Sequence, residues 1–252
     1  MISIVDNEHS YNSEISELSK GNPFGCRIAA LYNTYNYNLP FVDFWVQFID
    51  NKPVSLISRL ETAFVLLITD KSDFDEISSF VRVSGAETVI CDAKYSLVCN
   101  MNRVSGPILC CNSAFEIDKS FEIYTPSVKE VYSIISMAAS DNFKVPSYES
   151  FMLDVNHKLN QHTIRMYAVR EDIPAACIMT LAESKDSAVL GALATNPRLR
   201  KKGYGAFLIK YINNILNKEG KKVYLHRAPD ENISFYSKLG FEEYGFWAEY
   251  RE

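Results

Sequence analysis

Two spacings of apolar residues alternate along this chain. Short runs that are apolar throughout, or that alternate with polar positions, have strand length. Between them lie stretches whose apolar residues recur every three or four positions, as on one face of a helix. In the second half, Ser120–Tyr124 predicts a strand, and Val128–Ala139 and Tyr148–Asn160 predict helices. Ile164–Arg170 and Ala175–Leu181 read as strands joined by a turn at Glu171–Pro174. Ala188–Ala194, apolar throughout and too short for a helix, reads as a third. In Gly203–Lys218 the residues Phe207, Leu208, Tyr211, Ile212, Ile215 and Leu216 predict a helix with one buried face, and Gly220 stands where it stops. Lys222–Leu225 is then a strand, Asn232–Leu239 a short helix, and Phe241–Tyr250 supplies the last strands. The fold class is mixed α/β.

The first half echoes this order. Phe44–Ile49, a turn at Asp50–Pro53, Val54–Leu60 and Thr62–Thr69 parallel the hairpin and third strand of the second half. Phe74–Val83 matches the long helix and Thr88–Cys91 the strand after it. A diverged internal duplication explains the match; a hairpin followed by any strand and helix gives the same order. The polar stretch Cys111–Lys119 is the expected hinge, dividing the chain into residues 1–117 and 118–252.

Composition narrows the class. Of 252 residues, 47% are hydrophobic and 23% charged, enough apolar surface for a real core and against disorder. The net charge of −5 argues against nucleic acid as the main partner, since phosphate binding needs a surplus of Lys and Arg. Cys26, Cys91, Cys99, Cys110, Cys111 and Cys177 form no paired C-x-x-C motif, so no metal site is expected. Met1–Tyr11 lacks a secretory pattern, and apolar runs such as Phe64–Thr69 are too short to span a bilayer, so neither export nor a membrane is expected. Free thiols in a reducing cytoplasm follow as the expectation.

The segment with chemistry in it is Asn196–Ala206, between an apolar strand and an amphipathic helix. Its core, Arg200-Lys201-Lys202-Gly203-Tyr204-Gly205, has the form R-x-x-G-x-G. Two glycines let the backbone turn tightly and approach a ligand with no Cβ in the way. The first turn of a helix leaves N–H groups unpaired, and its dipole adds positive charge there, so the pair makes a cradle for phosphate oxygens. Arg198, Arg200, Lys201 and Lys202 gather cations at the same spot. The motif by itself is also compatible with a solvated turn. A dinucleotide fold would need a third glycine and an acidic residue after the next strand, where Leu225 is followed by His226 and Arg227. The Gly-Lys-Ser or Gly-Lys-Thr of a P-loop is absent too.

A second element lies one strand beyond the long helix: Asn232-Ile233-Ser234-Phe235-Tyr236-Ser237-Lys238-Leu239-Gly240-Phe241. R-x-x-G-x-G on a strand-to-helix turn, followed by this Asn, Tyr-x-Lys-x-Gly-Phe run, resembles the GNAT superfamily of acyl-CoA N-acyltransferases. The resemblance covers the second half of the chain, and the expectation is of tandem GNAT-like domains, each a mostly antiparallel sheet flanked by helices. It implies that Arg200, Lys201, Lys202, Gly203, Tyr204, Gly205 and Ala206 hold the pyrophosphate of coenzyme A. It implies further that Leu193, Ala194 and Thr195 bind the pantetheine arm as a missing strand would. Asn232 would contact that arm, and Tyr236 would be the general acid beside the thioester sulfur. Acetyl-CoA is the expected co-substrate and an amine the expected acceptor.

The chemistry needs a donor for the charge that develops on the thioester oxygen, and a backbone N–H near Leu193–Thr195 suits it. The departing thiolate needs a proton, and a tyrosine hydroxyl with an ordinary pKa of about 10 carries one. For the base that deprotonates the amine, Glu183 and His226 are candidates, with water equally open. Cys177 lies in a strand without a local base and reads as core. Tyr236 has an alternative reading as packing within the Phe235-Tyr236 pair. Tyr244, Phe246, Trp247 and Tyr250, like Tyr32, Tyr35 and Tyr37, read as packing by default. The first half has no R-x-x-G-x-G: Asp70, Asp73, Asp75 and Glu76 stand there and would repel a pyrophosphate. That half is the degenerate copy. The rival reading of the whole is a non-catalytic acyl-CoA-binding module; the sequence leaves the oligomeric state undefined.

Overall fold

The computed structural model describes residues 1–37, 39–117, 121–140 and 145–252. They form two compact units: Met1–Ile108 with Arg227–Pro229 and Glu243–Glu252, and Leu109–His226 with Asp230–Glu242.

The first unit begins with β1 (Ile2–Ile4), α1 (Asn12–Ser19) and α2 (Pro23–Tyr35), followed by β2 (Val42–Ile49), β3 (Lys52–Leu60) and β4 (Ala63–Leu67). Then come α3 (Phe74–Val83), β5 (Thr88–Asp92) and β6 (Asn102–Cys111), whose last residues belong to the second unit. Strands β1 to β4 pair antiparallel in sequence order, and β4 pairs β5 in parallel across the α3 crossover. Asp50 and Asn51, both at positive φ, close the tight β2–β3 turn, as a two-residue hairpin requires. Phe44, Leu56, Ile57, Phe64, Leu66 and Ile77 fill the core.

In the second unit follow β7 (Ile123–Tyr124), α4 (Val128–Met137), α5 (Tyr148–Asn160), β8 (Met166–Arg170), β9 (Pro174–Glu183) and β10 (Ser187–Thr195). A single 3-10 turn, Pro197–Leu199, leads into α6 (Tyr204–Lys218), then β11 (Lys222–His226) and α7 (Ile233–Lys238). The strand order is β7-β8-β9-β10-β11, antiparallel except for the last pair, which is parallel across α6. Alternate residues of β9 face opposite ways. Ile178 joins the cluster under α6 with Leu190, Leu208, Ile212 and Val223, while Cys177 and Met179 join the one under α4 and α5 with Ile134, Phe151 and Ala194.

The last strand, β12 (Glu242–Arg251), is a member of the first unit. It pairs antiparallel with β5, from Trp247↔Asp92 to Arg251↔Thr88. Ala248 and Tyr250 enter that unit's core, where the Tyr250 hydroxyl accepts from the Leu97 N–H at 3.0 Å.

The repeat expected from the sequence is present. β2-β3-β4-α3-β5 and β8-β9-β10-α6-β11 share element order and the same antiparallel, antiparallel, parallel pairing. Some expectations change. The stretch Phe241–Tyr250 forms one strand, not several. The strand expected from Ser120 is only Ile123–Tyr124, and Ser120 and the Lys119 end of the hinge lie outside the described residues. Helices α1 and α2 were unforeseen, although Asn22 before Pro23 and Phe24, Ile28 and Leu31 at helical spacing signal α2. The Asn22 side chain does accept from the Phe24 and Gly25 N–H groups.

Candidate functional site

Strand β10 divides at its middle. It pairs with β11 only from Ser187↔Lys222 to Leu190↔Leu225. Its other edge stays on β9 to the end, through Ala194↔Cys177, Thr195↔Ala176 and the Asn196 N–H donating to the Ala175 carbonyl at 2.8 Å. Beyond Leu190, the edge of Gly191–Thr195 on the β11 side has no strand partner among the described residues and is open. Two register shifts against β9 bracket the fork, at Val189/Leu190 and Gly191/Ala194, and Ala192 sits at a φ of 47°. A non-glycine residue in that region is strained, and here the strain turns the strand at the opening. The buried Cys177 thiol donates to the Ala192 carbonyl at 3.6 Å. Burial pushes its pKa up to about 12, so it stays protonated and is no nucleophile.

At the far end of the open edge, Asn196 caps the 3-10 turn by accepting from the Arg198 N–H. The chain then turns through Lys201 at φ 67° and Gly203 at φ 97° into α6. No side chain caps α6. The first intrahelical bond there runs from the Phe207 N–H to the Gly203 carbonyl, leaving the amides of Tyr204, Gly205 and Ala206 at a bare, positive helix start. A Cβ on Gly205 would stand 3.6 Å from Thr195 Oγ1, 3.8 Å from Leu193 Cδ1 and 3.8 Å from Phe235 Cζ. The bare glycine thus faces the open edge on one side and α7 on the other. Leu193, Ala206, Phe235 and Tyr236 pack on one hydrophobic cluster. An open strand edge that leads to unpaired helix-start amides matches the chemistry of a slender arm ending in phosphates, such as that of coenzyme A.

Of the cationic residues at the turn, Arg200 and Lys201 are exposed. Lys202 is bound to Glu171 of the β8–β9 turn at 2.9 Å. The Tyr204 ring is 1% exposed and packs tilted against Phe121, while its hydroxyl also donates to Glu171. Only the amide of Tyr204 is thus available to a ligand. Hydrogen bonds from Tyr204 and then Lys202 lower the Glu171 pKa, keeping a carboxylate beside the cradle. Sequence reasoning missed Glu171, because nothing local marks a hairpin acid as the partner of a distant loop.

The candidate catalytic residues divide. His226 follows Leu225, the last β11 residue paired with β10, and so stands at the fork. Tyr236, on α7, is half-buried, with its ring edge-on to Phe235 at 5.1 Å and to Phe241 at 5.9 Å. Asn232 is the exposed N-cap residue of α7 at φ 54°; its carbonyl accepts from the Phe235 and Tyr236 amides, and its side chain caps nothing. Glu183 is brought elsewhere. Its side chain, 3% exposed, takes Arg165 at 2.6 Å, Lys221 at 2.7 Å and the Thr180 hydroxyl at 2.9 Å, and Arg165 also holds Glu219 at the C-cap of α6. That cap is about 22 Å from Gly203 along a 15-residue helix. Burial acts to raise the Glu183 pKa, but its cationic partners prevail and hold it below 4.5. A carboxylate so committed makes a poor base, and Glu183 is a structural ion pair instead.

The corresponding turn of the first unit is closed. Asp73 caps α3 by accepting from the Asp75 N–H at 3.1 Å and the Glu76 N–H at 3.0 Å, so its own carboxylate occupies the amides that α6 leaves bare.

The family model described as FR47-like protein matches residues 162–252. No curated protein matches the sequence. Among solved structures, a tandem GNAT protein from the clavulanic acid biosynthesis pathway is similar over 99% of this chain and 98% of its own, at 12% identity and a TM-score of 0.61. A GNAT-family acetyltransferase from Colwellia psychrerythraea matches over 99% and 98% at 8% identity and a TM-score of 0.55. A GCN5-related N-acetyltransferase from Kribbella flavida matches over 92% and 95% at 13% identity and a TM-score of 0.58. With the strand-and-helix repeat and the turn at Gly203, these likenesses identify the chain as a protein of the GNAT superfamily fold, built from two GNAT-like halves.

Proposed function

We propose that the second half transfers an acetyl group from acetyl-CoA to a primary amine, by direct attack within a ternary complex, and that the first half binds no cofactor. One observation carries this reading: the uncapped helix start at Gly203 stands at the end of the open β10 edge, with the bare face of Gly205 within 4 Å of Thr195 and Leu193 on that edge. Acetyl-CoA supplies an activated thioester when bound. The amides of Tyr204, Gly205 and Ala206, with Arg200 and Lys201, hold its diphosphate. The open edge of Leu193, Ala194 and Thr195 pairs with the arm, and an amide of that edge steadies negative charge on the acyl oxygen. Asn232, at the start of α7, contacts the arm from the other side. His226 at the fork takes the amine proton, directly or through water, and the Tyr236 hydroxyl gives a proton to the departing sulfur. The named acetyltransferases of this fold support the same class of reaction. The free thiols fit a reducing cytoplasm as the site of action.

The test is calorimetric titration with CoA and acetyl-CoA, then a thiol-release assay over a panel of primary amines. Saturable binding with amine-dependent release is expected. Binding without release to any amine would make the protein a non-catalytic acyl-CoA-binding module, and absence of binding would overturn both readings.

A further inference from the structure

Leu181 is out of place for its strand. Its neighbours Thr180 and Ala182 are buried, yet this apolar side chain in the body of β9 is 42% exposed. The cause is the register shift at the fork. Val189 pairs with Ala182 and Leu190 with Thr180, so Leu181 is the extra residue of a bulge. The bulge lays its side chain on Gly191: a Cβ there would meet Leu181 Cγ, Cδ1 and Cδ2 at 2.5, 2.6 and 2.8 Å. Gly191 is the first β10 residue past the last pair with β11, at the closed end of the fork. Leu190 faces the α6 cluster, so Gly191 and the isobutyl group over it lie on the opposite face, that of α4 and α5.

We infer that Leu181 is the wall that limits the acyl group to a short chain, an inference that rests on the acyl transfer proposed above. An arm whose phosphates sit at Gly203 and which runs along Thr195 and Leu193 carries its acyl end toward Gly191. A two-carbon group stops short of the isobutyl; each further methylene must displace it. Gly191 and Leu181 act together, the first by leaving room for the second to lie over the closed end of the fork.

The experiment compares the affinities of CoA, acetyl-CoA and butyryl-CoA for the full chain, by calorimetry, with and without Leu181→Ala. The unaltered protein is expected to bind butyryl-CoA at least about tenfold more weakly than acetyl-CoA, the discrimination that an apolar wall gives against extra methylenes. Leu181→Ala is expected to close that gap to under about threefold while leaving CoA affinity unchanged. Leu181→Val, which keeps a strand-favouring residue and opens less space, must narrow the gap in the same direction and serves if the alanine variant does not fold. Equal binding of the two acyl-CoAs by the unaltered protein, or a gap that survives these variants, overturns the inference. No binding of CoA itself removes the acyl-transfer reading along with it, whereas CoA binding without discrimination removes only the wall.

Discussion

Gly203 and Gly205 stand two residues apart and are needed for different reasons. At Gly203 the φ of 97° excludes a side chain although nothing lies within 4 Å of where its Cβ would be. Gly203→Val should therefore cost stability, about 1–2 kcal/mol for the left-handed backbone, as well as CoA affinity. At Gly205 an added methyl meets only ordinary contact distances, so the fold accepts it, but it stands between the open strand edge and α7. Gly205→Ala should leave the melting temperature unchanged and weaken CoA binding about tenfold, the scale on which a pocket rejects one misplaced methyl group; unchanged affinity would move the arm elsewhere. Tyr236→Phe should lower turnover by about 10²-fold or more with CoA affinity kept, the usual yield of a positioned acid. Equal turnover would return Tyr236 to packing against Phe235 and Phe241. His226→Asn should lower turnover by about 10²-fold or more with CoA affinity kept, and equal turnover would leave the amine proton to water. The glycines were legible in the sequence because their chemistry is local. Ala192 at positive φ and Leu181 across Gly191 were not, since a strand's register against its neighbour creates both.

The two parallel crossovers of the repeat make the same element with opposite ends. Helix α3 begins on Asp73, which spends its carboxylate on its own amides; α6 begins on Gly203, which spends nothing. Asp73→Ala should cost about 1 kcal/mol of stability, as the loss of a cap does, and calorimetry should still find no CoA bound in the first half, since Asp70, Asp75 and Glu76 remain. At its other end α6 is tied by Arg165 to Glu183 and Glu219, with Lys221 beside them. Both carboxylates are held below their ordinary 4.5 by these cations, so the stabilisation is complete above that pH and is lost as pH falls beneath it. Glu183→Gln should destabilise by about 1–3 kcal/mol at neutral pH, because Arg165 and Lys221 lose a buried charged partner while Glu219 still neutralises them, and should flatten the acid limb of the stability curve. The extent of α6 was readable from its apolar face and Gly220. The role of Glu183 was not, because Arg165 and Lys221 reach it from the residue before β8 and from the loop after the helix.

Over the whole molecule, the order of elements in each half followed from the alternation of strand and helix spacings. The membership of the last strand did not. β12 lies within the FR47-like segment in sequence yet completes the first unit in space, with Ala248 and Tyr250 in its core. A pattern of apolar residues reports that a strand has a buried face; it does not name the neighbour that covers it. Removing residues 243–252 should abolish cooperative unfolding of the first unit, followed by hydrogen exchange at Val89–Asp92. Protection that survives in β5 would mean that β12 is dispensable there.

That strand also sets a timetable. A ribosome delivers β5 roughly 150 residues before its partner, on the order of 10–30 s at ordinary elongation rates. For that interval one edge of a hydrophobic sheet hangs bare beside a growing polypeptide, a standing invitation to neighbouring nascent chains. Synthesis of this protein is therefore a case where slow translation, or an absent chaperone, penalises the half made first.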